Sequence, residues 1–151
     1  MIAKRILMLL TLSACVAGLS ALGSLKNPVT RPNNAHGHFT VVVSLADGSF
    51  VASEQGQATH SGQYITHFEG QMDLVTFNTI WMEGYVEAAN GDRVFAEMTP
   101  QGGVITGGTG RFEGATGSFT MVTTDVVVVV DPIAGTMTMT GTDTMEGTIT
   151  Y

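Results

Sequence analysis

An all-β domain, a closed barrel or a two-sheet sandwich, is what this chain predicts. Three observations predict it. Charged residues make up only 13% of the 151 positions while glycine is abundant, at 19, which suits strands and tight turns better than helices. Short β-type segments recur at close intervals with turn residues between them, and no sustained helical periodicity appears in the body of the chain. The clearest segment, 136–150, has threonine at every even position except Glu146, while the odd positions carry Met137, Met139, Gly141, Asp143, Met145, Gly147 and Ile149. Period-two alternation over that length is a half-buried strand with its threonines in water and its methionines in a core.

The first 25 residues read as an address. Lys4 and Arg5 precede an apolar stretch, 6–12, in the manner of an export signal. The run Leu12-Ser13-Ala14-Cys15 matches the pattern in which small residues precede a cysteine that receives lipid and becomes the new N-terminus. Two alternatives stand beside lipidation of Cys15. One is ordinary cleavage after Ala21-Leu22-Gly23; the other is an uncleaved anchor over 6–25, a stretch just long enough to span a bilayer. Cys15 is the only cysteine, so the body has no disulfide, no cysteine nucleophile and no cysteine-based metal site. The expected partner of a lipidated chain is the bacterial envelope membrane; a soluble periplasmic or secreted form results from ordinary cleavage.

Residues 26–37, with two prolines and three asparagines, read as a linker. The barrel domain is expected over 38–151, with strands near 38–45, 50–59, 63–73, 79–88, 93–99, 103–106, 118–130 and 136–151. Within it, Asn90-Gly91 marks a hairpin. A two-residue turn there would pair Glu87 with Val94 and mix the faces. A three-residue loop, Ala89-Asn90-Gly91, instead opposes Glu87 to Arg93, Tyr85 to Phe95 and Glu83 to Glu97, with Gly91 in the left-handed position. Ile80, Met82, Gly84, Val86 and Ala88 then share the other face with Val94, Ala96 and Met98. Which face points inward stays open.

Five consecutive valines, Val126–Val130, make a strand apolar on both sides, flanked by Asp125 and Asp131. Such a strand wants cover on both faces. A homo-oligomer interface is the preferred expectation; cover by the N-terminal linker is the alternative.

The stretch "VITGGTGRFEGATGSFT", 104–120, holds five glycines between Gly107 and Gly117. A phosphate-cradling loop needs a helix behind it, and residues 116–124 alternate like a strand instead. The glycines therefore read as a tight strand-to-strand crossing, with Phe112 plugging one barrel end and Arg111 and Glu113 in solvent.

Charge excludes one class of partner. Lys26, Arg31, Arg93 and Arg111 are the basic residues beyond residue 25, against all 13 acidic residues of a chain whose net charge is -7. That surface repels phosphate backbones, so nucleic acid is not expected. The candidate chemistry is sparse. Glu83 and Glu97, if opposite one another, form a carboxylate pair able to hold a proton; two solvated acids on the outside is the plainer reading. Asp143 sits on the apolar face of its strand as a lone cavity carboxylate or a rim aspartate. His36, His38, His60 and His67 show no convergence toward a metal. Trp81, Tyr85 and Phe95 make either a flat aromatic binding patch or a cross-strand cluster. No catalytic set, cofactor site or metal site is evident.

Three segments together, "GQATHSGQY" (56–64), "AANGDRVFA" (88–96) and "ITGGTGRFEGATGS" (105–118), resemble a group of bacterial secreted proteins that share the barrel of the allene oxide cyclases and the plant dirigent proteins. The resemblance implies an eight-stranded antiparallel barrel with a central cavity, often trimeric. The plant activities are not implied by it. Cyclases of this kind use a cavity glutamate and a cysteine, and dirigent proteins use cavity aspartates, and neither motif has a counterpart placed here. Two functions are therefore expected. The first is an exported, non-catalytic barrel that binds a small apolar ligand or serves the envelope structurally. The second is a cyclase- or dirigent-like protein acting on an apolar compound in the cavity. They differ in whether the barrel interior is open and holds a buried titratable group, Asp143 first.

Overall fold

The computed structural model describes residues 27–99 and 102–151. The signal segment, with Cys15, lies outside the described residues. Eight strands close into one antiparallel barrel in simple sequence order: β1 (Thr30–Ser44), β2 (Ser49–Ala58), β3 (Gly62–Met72), β4 (Thr79–Ala88), β5 (Arg93–Thr99), β6 (Gly102–Gly108), β7 (Thr116–Asp131) and β8 (Thr136–Thr150). Every neighbour is a hairpin partner except β1 and β8. Those two close the barrel along a ladder from Thr30↔Thr150 to Ser44↔Thr136.

Most of residues 26–37, expected as a linker, is the first half of β1. Its inward positions Asn33, Ala35 and Gly37 are buried. The proline content misleads because β2 reaches only as far down as Ala35↔Ala58, whereas β8 continues past it. Pro32 therefore sits where β1 has a neighbour on one side only, and its missing N–H costs no ladder bond. Just above, the Thr59 backbone N–H donates to the Asn34 carbonyl at 2.9 Å, which ties the β2–β3 turn to β1.

The β4–β5 hairpin takes the register expected of a three-residue loop: Glu87↔Arg93, Tyr85↔Phe95 and Glu83↔Glu97. Gly91 has φ +84°, the left-handed conformation that favours glycine. Arg93 bridges Glu87 at 2.9 Å and stacks 4.4 Å above the Tyr85 ring. The inward face is the one with Met82, Gly84, Val86, Ala88, Val94, Ala96 and Met98.

The glycine-rich stretch joins two strands. After β6, a single 3₁₀ turn, Gly110–Phe112, carries the chain into β7. Phe112 is fully buried and closes that end of the barrel, its ring 5.1 Å from Tyr151 in an edge-on contact. Arg111 is exposed, as expected, and is also engaged. It donates to the His60 carbonyl at 2.6 Å and lies 3.8 Å from the Asp92 carboxylate, clipping three turns together.

Strand β7 outruns its neighbour. Its pairing with β6 spans only Gly103↔Phe119 to Ile105↔Gly117, while its ladder with β8 continues to Asp131↔Thr136. A bulge interrupts that ladder between Thr124 and Val127, with Asp125 at φ +54°. The five valines are all exposed, between 45% and 61%. The N-terminal segment from residue 27 onward does not cover them, since it is consumed by β1.

The interior has two apolar ends. One gathers Val94, Ala96, Ile105, Phe112, Phe119 and Ile149. The other gathers Val43, Phe50, Met72 and Met137. Side chains do not fill the length between them, and a cavity of about 370 Å³ remains.

Candidate functional site

The site grows out of one row of residues across four strands. Asp143 on β8 lies opposite Gly37 on β1, Gly37 opposite Gly56 on β2, and Gly56 opposite Tyr64 on β3. All four positions face inward. Two adjacent glycines leave a gap in the wall between Asp143 and Tyr64. The Glu54 side chain, two residues before Gly56 on the same face of β2, fills that gap. A Cβ on Gly37 would collide with the Glu54 carboxyl, and a Cβ on Gly56 would come within 2.6 Å of the Tyr64 hydroxyl. Glycine is needed at both places for room rather than for backbone freedom.

The Tyr64 hydroxyl donates a hydrogen bond to the Glu54 carboxyl. Glu54 in turn hydrogen-bonds Asp143. Asp143 is 4% exposed and Tyr64 5%. Burial pushes the Glu54 carboxyl up to about 8, with the neighbouring Asp143 charge adding to the rise. Burial also raises Asp143, while the hydrogen bond from Glu54 and the nearby His36 and His38 pull it back down. Burial raises the Tyr64 hydroxyl as well, and the charge of Glu54 adds to it. The outcome at neutral pH is a pair that shares one proton. Glu54, the carboxyl raised to about 8, holds that proton against Asp143, and the remaining negative charge belongs to the pair. His36 and His38 stand on either side of Gly37 on the outer face of β1, with ring centroids 6.2 Å apart. The Thr142 hydroxyl meets His38 Nδ1 at 3.3 Å.

The rest of the cavity wall is mostly apolar. Phe39, Phe50, Phe68, Met82, Met139 and Met145 line it, with small residues such as Ala35, Ala52 and Ala96 leaving space. Among the described residues no lysine or arginine lines it. The polar pair is thus a single charged spot in an apolar chamber.

The structure separates the candidates read from the sequence. Asp143 is inside, as a lining residue of an open cavity. Glu83 and Glu97 are directly opposite one another but on the outer face and exposed. Glu69 lies opposite Glu83 as well, so three acids run in a row across β3, β4 and β5. Tyr85, Phe95 and His67 form a cross-strand cluster outside, with His67 and Tyr85 centroids 5.1 Å apart; Trp81 is exposed on the same face, beyond Glu83. Among the described residues no group of three histidine, cysteine, aspartate or glutamate side chains comes together to hold a metal.

Sequence reasoning missed Glu54 and Tyr64. The inward positions of β2 run Phe50, Ala52, Glu54, Gly56, Ala58, and the outward ones include Val51. That strand's alternation is too weak to assign Glu54 to a face. The signal that was available is the pair of isolated strand glycines, Gly37 and Gly56, which mark a place where something approaches closely.

What the fold and the site define together is a closed antiparallel barrel with a hydrogen-bonded acid pair in an apolar interior. No protein-family model, curated protein or solved structure matches the chain.

Proposed function

We propose that this protein is an exported barrel, held at a bacterial membrane by lipid on Cys15, that binds one small apolar ligand in its interior. The single observation that carries the ligand reading is the cavity of about 370 Å³ with largely apolar walls. Small closed barrels that leave their interior unfilled hold single small molecules in such chambers. Export and lipidation are supported by the pattern of the first 25 residues, with Leu12-Ser13-Ala14 preceding the cysteine. The ligand reading is tested by titrating a neutral apolar fluorophore into the protein and into Ala52→Phe, which places a ring in the chamber. Saturable binding at one site, lost in the variant, is the expected result. Absence of saturable binding in the wild type removes the reading.

A second reading is favoured by a specific observation. A buried carboxyl pair that retains a proton near neutrality, with a tyrosine hydroxyl behind it, has the composition of a general acid. In a cyclase- or dirigent-like role, the pair would protonate an apolar reactive compound such as an epoxide. Incubation with apolar epoxides tests it: product formed by the wild type and abolished in Glu54→Gln, which has no acidic proton to give, is required, with fluorophore binding retained in the variant. The valine run of β7 supports self-association, since five exposed valines on a strand edge that β6 does not reach make an adhesive surface.

A further inference from the structure

The cavity's polar atoms say what kind of apolar ligand it takes. Asn33, Ser61 and Thr66 line it and are more than nine-tenths buried, at 8%, 8% and 4% exposure. Among the described residues, no hydrogen bond ties any of these three side chains to the protein. Among the described residues no fully enclosed side-chain nitrogen or oxygen lacks a partner, so the polar atoms of these three keep accessible surface, and all three residues line the chamber. Buried polar groups are ordinarily paired, and three that face an open space await a partner there. Thr66 comes two residues after Tyr64 on the same inward face of β3 and lines the same chamber as the acid pair.

Charge then narrows the partner. Among the described residues, no lysine or arginine shares the chamber with Asp143 and Glu54. His36 and His38 act on Asp143 from outside the wall, and His60, at the closed end, is engaged by the Pro32 carbonyl at 2.8 Å and the Tyr151 hydroxyl at 3.4 Å. An anionic ligand would face Asp143 unpaired. A neutral alcohol would satisfy one or two acceptors and leave the negative charge in an apolar chamber. A bare metal ion needs more ligands than two carboxylates. A protonated primary amine has three donors and one positive charge, which match the Asp143 carboxylate, the Glu54 carboxyl oxygen and the Thr66 hydroxyl.

Resting on the reading that the cavity holds a ligand, we infer that the ligand is an amphipathic amine, its ammonium seated on Asp143 and Glu54 and its apolar tail lying along the barrel among Phe39, Phe68 and Met139. The complex is neutral overall. One carboxylate meets one ammonium, and the proton that Glu54 shares with Asp143 need not leave. A charge-assisted hydrogen bond in such surroundings is worth about tenfold or more in affinity.

The test uses three probes of equal chain length, octylamine, octanol and octanoate, in calorimetric titrations near neutral pH against the wild type, Asp143→Asn and Glu54→Gln. Octylamine is expected to bind the wild type about tenfold or more tightly than octanol, with octanoate weakest. Asp143→Asn removes the negative charge, so the amine preference should collapse while octanol binding stays. Glu54→Gln removes one ammonium contact but keeps an oxygen acceptor and the other carboxyl, so the preference should shrink less than in Asp143→Asn. Octanol binding as tightly as octylamine to the wild type overturns the amine inference and leaves the apolar-cavity reading standing. An unchanged preference in Asp143→Asn overturns it too. If none of the three probes binds, the cavity reading itself falls. Octanol binding serves as the check that each variant is folded. Should Asp143→Asn not fold, the comparison of the three probes on the wild type decides alone.

Discussion

Glu54→Gln should make this protein more stable at neutral pH, and the size of the gain is set by the acid pair. An unfolded glutamate titrates near 4.5, while in the barrel burial raises Glu54 to about 8. Between those values the unfolded chain has released the proton and the folded chain still binds it. Stability depends on pH through the difference in bound protons, so it must fall as pH rises across this interval. Below the unfolded value both states are protonated and the stability tied to this group is fully present. It is lost progressively up to the folded value. At 1.36 kcal/mol per pH unit, the loss amounts to roughly 3 kcal/mol at about pH 7 and 4 to 5 kcal/mol by about pH 8. Glutamine mimics the protonated acid: its amide oxygen accepts from Tyr64 and its amide nitrogen donates to Asp143, with no proton to lose. Urea denaturation of both proteins at about pH 4, 6, 7 and 8 measures the effect. The two should agree near pH 4 and diverge above it, the wild type falling behind by about 3 kcal/mol at neutrality. Parallel stability curves across the whole range would falsify the shared-proton account of the pair.

Three further outcomes are expected. Gly56→Ala places a methyl group 2.6 Å from the Tyr64 hydroxyl and closer still to the His36 carbonyl, so denaturation should show a loss of about 1 to 3 kcal/mol; a neutral result would mean that the two-glycine gap does not position the pair. Phe112→Ala removes the fully buried ring that closes one barrel end and should cost about 3 to 5 kcal/mol by the same measurement, whereas Phe95→Ala on the outer face should cost far less. Val127→Lys with Val129→Lys places charge on the exposed β7 edge, and light scattering should show any oligomer of the wild type reduced to monomer; an unchanged mass would remove the valine edge as the contact.

Much of the fold was legible because its signals are local. The 136–150 alternation, the Asn90-Gly91 loop and the register it imposes, the glycine crossing with Phe112 at its end, and the inward placement of Asp143 all depend on side chains within a few residues of one another. Strand β1 was legible only from residue 38. Its first half looks like a linker because the prolines and asparagines that break an ordinary strand are tolerated where only β8 is a neighbour, and which edge is open is not written in the segment itself. Strand parity could pair Glu83 with Glu97 but could not say which side of their hairpin faces in.

The sequence by itself determined the class of fold, the turn chemistry and the inward or outward phase of any strand with strong alternation, since period two and turn residues act at short range. Only the tertiary structure decided that the barrel interior stays open, and that Asp143, Gly37, Gly56 and Tyr64 fall in one row with Glu54 filling the gap between them. Those residues come from four strands, and Glu54 and Asp143 are nearly ninety positions apart on the chain. What brings them together is the closure of β8 against β1, and what gives the carboxyls their unusual proton affinity is the burial that closure creates.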